Sequence, residues 1–181
     1  MLSMFKGAHR AVILRIVILT TLVWGSSFSQ AAGDPHPISE ASVQGIQNDT
    51  VITLERTVCY GMCPNYKITI SADGSVVFEG QRFVKQIGTA RSSISEGQLR
   101  ALLDGFEKIK FFSLRSRYER EADGCEGVVT DHPTAIISIT MDGKSKSVRH
   151  YYGCRGPEVL DRLKELEQSI DDAVNSAQWI R

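Results

Sequence analysis

Long apolar runs are missing from this 181-residue chain. The longest, Ile16 to Trp24, covers about nine residues, and a membrane-spanning helix needs about twenty. The common catalytic signatures are missing too. There is no H-E-x-x-H helix, P-loop or glycine-rich dinucleotide turn, and no G-x-S-x-G nucleophile elbow. Charge of one sign is not in excess, since 21 Lys+Arg balance 21 Asp+Glu. No basic patch stands out, which argues against a nucleic-acid or anionic-membrane partner. Histidine is scarce: His9 and His36 lie near the N-terminus, which leaves His132 and His150 for a folded domain. No cofactor is expected from this inventory.

What is present begins with an N-terminal address. Lys6, His9, Arg10 and Arg15 form a basic stretch without an acid, Ile16 to Trp24 is an apolar core, and Ser29-Gln30-Ala31 is a small-x-small site. This is the anatomy of a secretory signal peptide over residues 1–31, and no cysteine lies near the cut to suggest a lipid anchor. Cleavage would leave 150 residues carrying 18 basic and 21 acidic side chains, a net of −3. That length suits one domain with its own core. We expect a periplasmic or secreted protein that leaves the membrane after cleavage.

All four cysteines survive that cut. An even count in an exported domain favours disulfides. Cys59, Cys63, Cys125 and Cys154 allow three pairings, which sequence does not choose between. We favour Cys59 with Cys63 and Cys125 with Cys154. On the chain-entropy view, a loop of about 30 residues is worth roughly 3.6 kcal/mol and one of about five roughly 2 kcal/mol.

Residues 32–50 are rich in Pro, Ser, Asp and Gln without periodicity and read as a flexible leader. The pattern then predicts strands over 51–57, Tyr66–Ser71 and Ser75–Glu79, with a fourth over Phe83–Ile87. Asp73-Gly74 is a hairpin turn signal. Ser95-Glu96-Gly97-Gln98 is a capping box that opens a helix over Glu96–Ile109, with Leu99, Leu102, Leu103 and Phe106 at helical spacing. Phe111–Gly127 reads as irregular. Thr134–Met141, an Asp142-Gly143 turn and Lys144–Tyr152 make a second hairpin. Gly156-Pro157 opens a second helix with a buried stripe of Val159, Leu160, Leu163, Leu166, Ile170 and Val174 and an acidic, solvated face. The expected fold is α+β: one antiparallel sheet with two helices packed on one face, over residues 51–175, and a C-terminal tail over 176–181. The order strand-turn-strand-helix occurs twice, as a duplicated unit would.

The run Arg56-Thr57-Val58-Cys59-Tyr60-Gly61-Met62-Cys63-Pro64-Asn65-Tyr66 is the chain's most distinctive stretch. Its thiols can be a structural staple, a copper or zinc clamp completed by His132 or His150, or a thiol-disulfide redox pair. The spacing resembles that of copper-delivery proteins of the thioredoxin fold, but there the motif opens a helix, and here a strand follows Pro64. Asp131-His132-Pro133 suggests acid-base chemistry, yet adjacent residues on an extended chain point apart, and a loop-capping Asp is the simpler reading. Arg56 can bond loop carbonyls or hold an anion. The candidate binding surface is Arg56, Tyr60, Tyr66, His150 and Tyr151.

The pattern Arg56-x-x-Cys59-x-Gly61-x-Cys63-Pro64-x-Tyr66, followed by Gly74-x-Val76 and Phe78-Glu79-Gly80, resembles a family of bacterial exported domains called domain of unknown function 6438. The resemblance runs from about Val51 to Asp171. It implies an exported, compact domain and transfers no catalytic residue. The expectation is a disulfide-stapled, non-enzymatic module of the bacterial envelope that binds a protein or small ligand. Metal handling and thiol-disulfide exchange are the alternatives.

Overall fold

The computed structural model describes residues 45–180. The proposed signal peptide and most of the leader lie outside the described residues. Four strands come first: β1 (Val51–Arg56), β2 (Asn65–Ser71), β3 (Ser75–Arg82) and β4 (Gly88–Ser93). Helix α1 (Glu96–Lys108) follows, then β5 (Arg117–Tyr118) and β6 (Gly127–Val128). The second half contains β7 (Thr134–Met141), β8 (Lys144–Tyr151), β9 (Cys154–Arg155), α2 (Val159–Ala173) and α3 (Ala177–Ile180).

The main sheet has seven strands in the order β4-β3-β2-β1-β7-β8-β5. β1 is central: Leu54 lies opposite Ile68 on β2 and Ile137 on β7. Alternation along each strand sends Ile52, Leu54, Ile68, Ile70, Ile137 and Ile139 into one fully buried layer. The amphipathic stripes of α1 (Leu99, Leu102, Phe106) and α2 (Leu163, Leu166, Ile170) belong to that same core. The fold is therefore α+β, with a large and mostly antiparallel sheet and two main helices. The two strand-turn-strand units share this one sheet; β4 intervenes before the helix in the first, and the two-residue β9 of the small sheet intervenes in the second.

Local chemistry explains the turns. Gly74 has φ 77°, and a Cβ there would meet the Ile94 carbonyl oxygen at 2.4 Å. At Gly80 a Cβ would sit 1.9 Å from the Gln86 carbonyl oxygen, so only glycine lets the β3–β4 loop fold back so closely. The capping box forms as expected: the Ser95 amide donates to Gln98 Oε1 at 2.9 Å and the Gln98 amide donates to Ser95 Oγ at 3.2 Å.

Several expectations are corrected. The fourth strand is Gly88–Ser93, not Phe83–Ile87; Phe83 has φ 56° and turns the chain. β4 is a polar edge strand, so it lacks the alternation that marks a half-buried one. The sheet is not wholly antiparallel, because β5 runs parallel to β8, and a second small sheet pairs β6 with β9. α2 starts at Val159, and Pro157 lies in the turn before it. The end of the presumed leader is tied down: Ile46 packs on the core, and the Asp49 carboxylate accepts from the Asp142 and Gly143 amides at 3.1 and 2.7 Å. The presumed tail is α3, whose Trp179 ring lies 4.8 Å from that of Phe78. Four residues are too short to show a helical period.

Candidate binding cleft

Antiparallel pairing brings the C-terminal ends of β1, β3 and β8 and the N-terminal ends of β2, β4 and β7 to one end of the sheet. The cysteine loop connects β1 to β2 at that end. There a cleft of about 540 Å3 opens between the sheet and the C-terminal half of α2. Arg56, Cys63, Pro64 and Tyr66 of the cysteine motif line it, together with Tyr152 and with Gln168, Asp171 and Asp172 of α2.

The floor is a polar network. Arg56 Nε and Nη2 both donate to Asp171 Oδ2, at 2.9 and 2.7 Å. The Tyr66 and Ser176 hydroxyls each donate to Asp171 Oδ1 at 2.7 Å. Arg56 Nη1 donates to the Tyr152 hydroxyl at 2.6 Å and lies 3.6 Å from Glu167 Oε2. The Tyr152 hydroxyl donates to Glu167 Oε2, and His150 Nδ1 lies 2.7 Å from Glu167 Oε1. A carboxylate only accepts, so Nδ1 carries the proton there. His150 Nε2 is buried without a hydrogen-bond partner among the described residues.

Electrostatics holds Arg56, Tyr66 and Tyr152 each in a fixed state. Burial alone would lower the Arg56 pKa, but the Asp171 charge, together with Tyr66 and Tyr152, more than offsets this and the net shift is upward. Burial, then the Asp171 charge, pushes the Tyr66 phenol well above its ordinary value. Burial, then the Glu167 charge, pushes Tyr152 up to about 12. Both phenols therefore remain donors to carboxylates, and the guanidinium remains a cation. The arrangement can orient and bind; each hydroxyl at its floor is already committed as a donor.

The expected site residues separate. Arg56, Tyr66 and the Cys63 end of the loop converge on the cleft, but Tyr66 is buried and is not a surface residue. His150 is also corrected: it is 0% exposed and faces Glu167 beneath the helix, because its strand position points to the core. Arg56 donates to Asp171 and Tyr152 rather than to loop carbonyls. Tyr60 is 87% exposed. The Tyr151 hydroxyl is tied to the Val129 carbonyl at 2.9 Å. Asp131 accepts from the Thr130 hydroxyl at 3.1 Å rather than from His132.

The cysteines pair as Cys59–Cys63 and Cys125–Cys154. Their sulfurs are thus committed to disulfides, so the metal set of Cys59, Cys63 and His132 or His150 has no thiolate to offer. Among the described residues no group of three or more metal-binding side chains comes together, and no helix is long and apolar enough to cross a membrane.

The acidic face of α2 is the main correction. Glu167 and Asp171 are buried, while Asp172 is exposed. The signal was in the spacing: Leu163, Leu166, Ile170 and Val174 define a stripe, and residues 167 and 171 fall within it at i+4 from 163 and from each other. Two acids at stripe positions call for buried cationic or hydroxyl partners.

The family model described as Domain of unknown function (DUF6438) matches residues 50–174. The chain belongs to this family. The matched span includes every element of the cleft floor except Ser176, which lies just beyond it. A search of curated proteins finds no match. Within this member of the family, the motif's Arg56, Cys63, Pro64 and Tyr66 stand on one cleft wall and floor, which gives that spacing a common structural purpose.

Proposed function

We propose that this family member is an exported, disulfide-stapled module of the bacterial envelope that binds a protein or small ligand in the Arg56–Asp171 cleft without transforming it. One observation carries the reading. Arg56, 115 positions from Asp171 in sequence, meets it at 2.7 Å under an open cleft that Cys63 and Pro64 also line. A polar floor whose guanidinium and hydroxyls are all hydrogen-bonded within the chain, under a concave opening, is the usual form of a preorganised binding site. The same satisfaction argues against catalysis, since no hydroxyl there is paired with a base free to take its proton. Two disulfides suit an oxidising compartment.

The test is a thermal-shift screen of the exported protein against small polar metabolites and amines, repeated on Gln168→Trp. Gln168 is an exposed helical residue on the cleft wall, so the larger ring fills the opening without disturbing the core. Hits that vanish in Gln168→Trp support the cleft. Hits indifferent to it, or turnover of any compound by the wild-type protein, overturn the reading.

A further inference from the structure

Eight large apolar side chains are exposed among the described residues, and seven of them gather at the cleft end of the sheet. Val58, Tyr60 and Met62 stand on the β1–β2 loop. Phe83 and Ile87 stand on the β3–β4 loop, and Val128 and Val129 precede β7. The eighth, Phe112, follows α1 at a separate site. Tyr60 and Met62 are 87% and 83% exposed. The loop that carries them, residues 57–64, contains no charged residue and is closed on itself by the Cys59–Cys63 bridge. The Tyr60 amide reaches the Asp131 carbonyl at 3.4 Å, which joins this loop to the Val128–Val129 segment. Clustered, rigidly presented apolar side chains of this kind mark an interaction surface, and Tyr and Met are among the residues enriched at protein interfaces.

Charge chooses the partner. Arg56, Asp171 and Asp172 are the charged residues lining the cleft, a formal net of −1. The guanidinium is occupied by Asp171, with Glu167 Oε2 3.6 Å from it. Asp172 is left exposed at the wall, with the Gln168 amide on Oδ1 at 2.8 Å. The opening beside α2 therefore complements a cation and the uncharged β1–β2 loop complements apolar surface, whereas the end of β3 and the β3–β4 loop carry exposed Arg82 and Lys85, with Arg82 over the Phe83 ring at 5.1 Å. We propose that this end of the sheet docks an extended segment of a second protein, which places a lysine or arginine against Asp172 and lays flanking apolar side chains on Tyr60 and Met62. The proposal rests on the cleft reading and names the class of its occupant.

The experiment pans a display library of random peptides on the exported protein and subtracts peptides that also bind Met62→Asp. Enriched sequences should share a basic residue flanked by apolar ones. Their affinity, measured by fluorescence anisotropy, should fall about tenfold in Met62→Asp and about fivefold in Asp172→Asn. Phe112→Ala should leave binding unchanged, and all three variants should keep the wild-type melting temperature because the residues are exposed. An empty selection, or enrichment of acidic or purely apolar peptides, overturns the proposal. So does self-association or binding to anionic vesicles that is lost in Met62→Asp, which would assign the surface to a second copy or to lipid. Peptides that need Met62 but ignore both Asp172 and Gln168→Trp would overturn the cleft reading as well. An empty peptide selection beside cleft-dependent small-molecule hits would remove only the protein partner.

Discussion

Cys125 and Cys154 are 4% and 3% exposed, and their separation in sequence is 29. Cys59 and Cys63 are half-buried, and their separation is four. The long bridge ties the segment ahead of β6 to β9, two short pieces with little secondary structure of their own, and holds both against the core. The short one closes a ring of about five residues and restrains the unfolded chain less. What it does is shape a loop: Cys63 and Pro64 are set into the cleft wall while Tyr60 and Met62 are held out in solvent. The same covalent bond serves stability in one region and surface geometry in the other. Arg56 qualifies that division, because it stands just ahead of the short bridge and yet pairs with two carboxylates under α2.

The largest effect should come from that qualification. Arg56→Ala strands Asp171 and Glu167 and should cost about 3–5 kcal/mol in denaturant unfolding. A loss under about 1 kcal/mol would mean that water reaches the network freely and that the cleft region contributes only shape. Next is the long bridge: Cys125→Ala should cost roughly 3.6 kcal/mol against roughly 2 kcal/mol for Cys59→Ala. Equal or reversed losses, read in parallel melts, would erase the contrast between the two bridges.

Tyr152→Phe removes one donor from Glu167 and should cost about 1.5 kcal/mol at neutral pH. It also tests the network through pH. The Tyr152 pKa is raised from 10.0 to about 12. Its contribution is fully present below pH 10.0 and is lost as pH rises from there through about 12, because the unfolded phenol releases its proton while the folded one keeps it. Stability should therefore fall across that window, with Tyr66 acting in the same direction. The fall should be shallower in Tyr152→Phe, and an unchanged alkaline slope in that variant would detach Tyr152 from the network. The smallest effect is Met62→Asp, expected within about 0.5 kcal/mol of wild type. A larger loss would show that the exposed loop also supports the core.

Much of the fold was legible in single residues and short spacings. Asp73-Gly74 and Asp142-Gly143 named both hairpins, Ser95 and Gln98 named the start of α1, and alternating Ile residues named the central strands. β4 was not legible, since Gly88–Ser93 lies at an exposed edge and has no apolar face to display. Nor was α3, whose single turn is held by Trp179 meeting Phe78 across 101 positions of chain. The candidate site was half visible. The cysteine motif located Arg56 and Tyr66, but their partners Glu167 and Asp171 look like any solvated helix face until the stripe beneath them is counted.

Local pattern alone determined that this chain makes two hairpins and two amphipathic helices, because turn chemistry and hydrophobic period act over a few neighbouring residues. Which strands lie side by side, and hence which side chains share a cleft, was decided only in the tertiary structure. β1 pairs with both β2 and β7 because a buried strand must satisfy its backbone hydrogen bonds along both edges, and that placement brings Arg56 under the end of α2. Burial then does the rest: a guanidinium and two carboxylates taken out of water must find one another, so Arg56, Glu167 and Asp171 became a network that no stretch of sequence spells out.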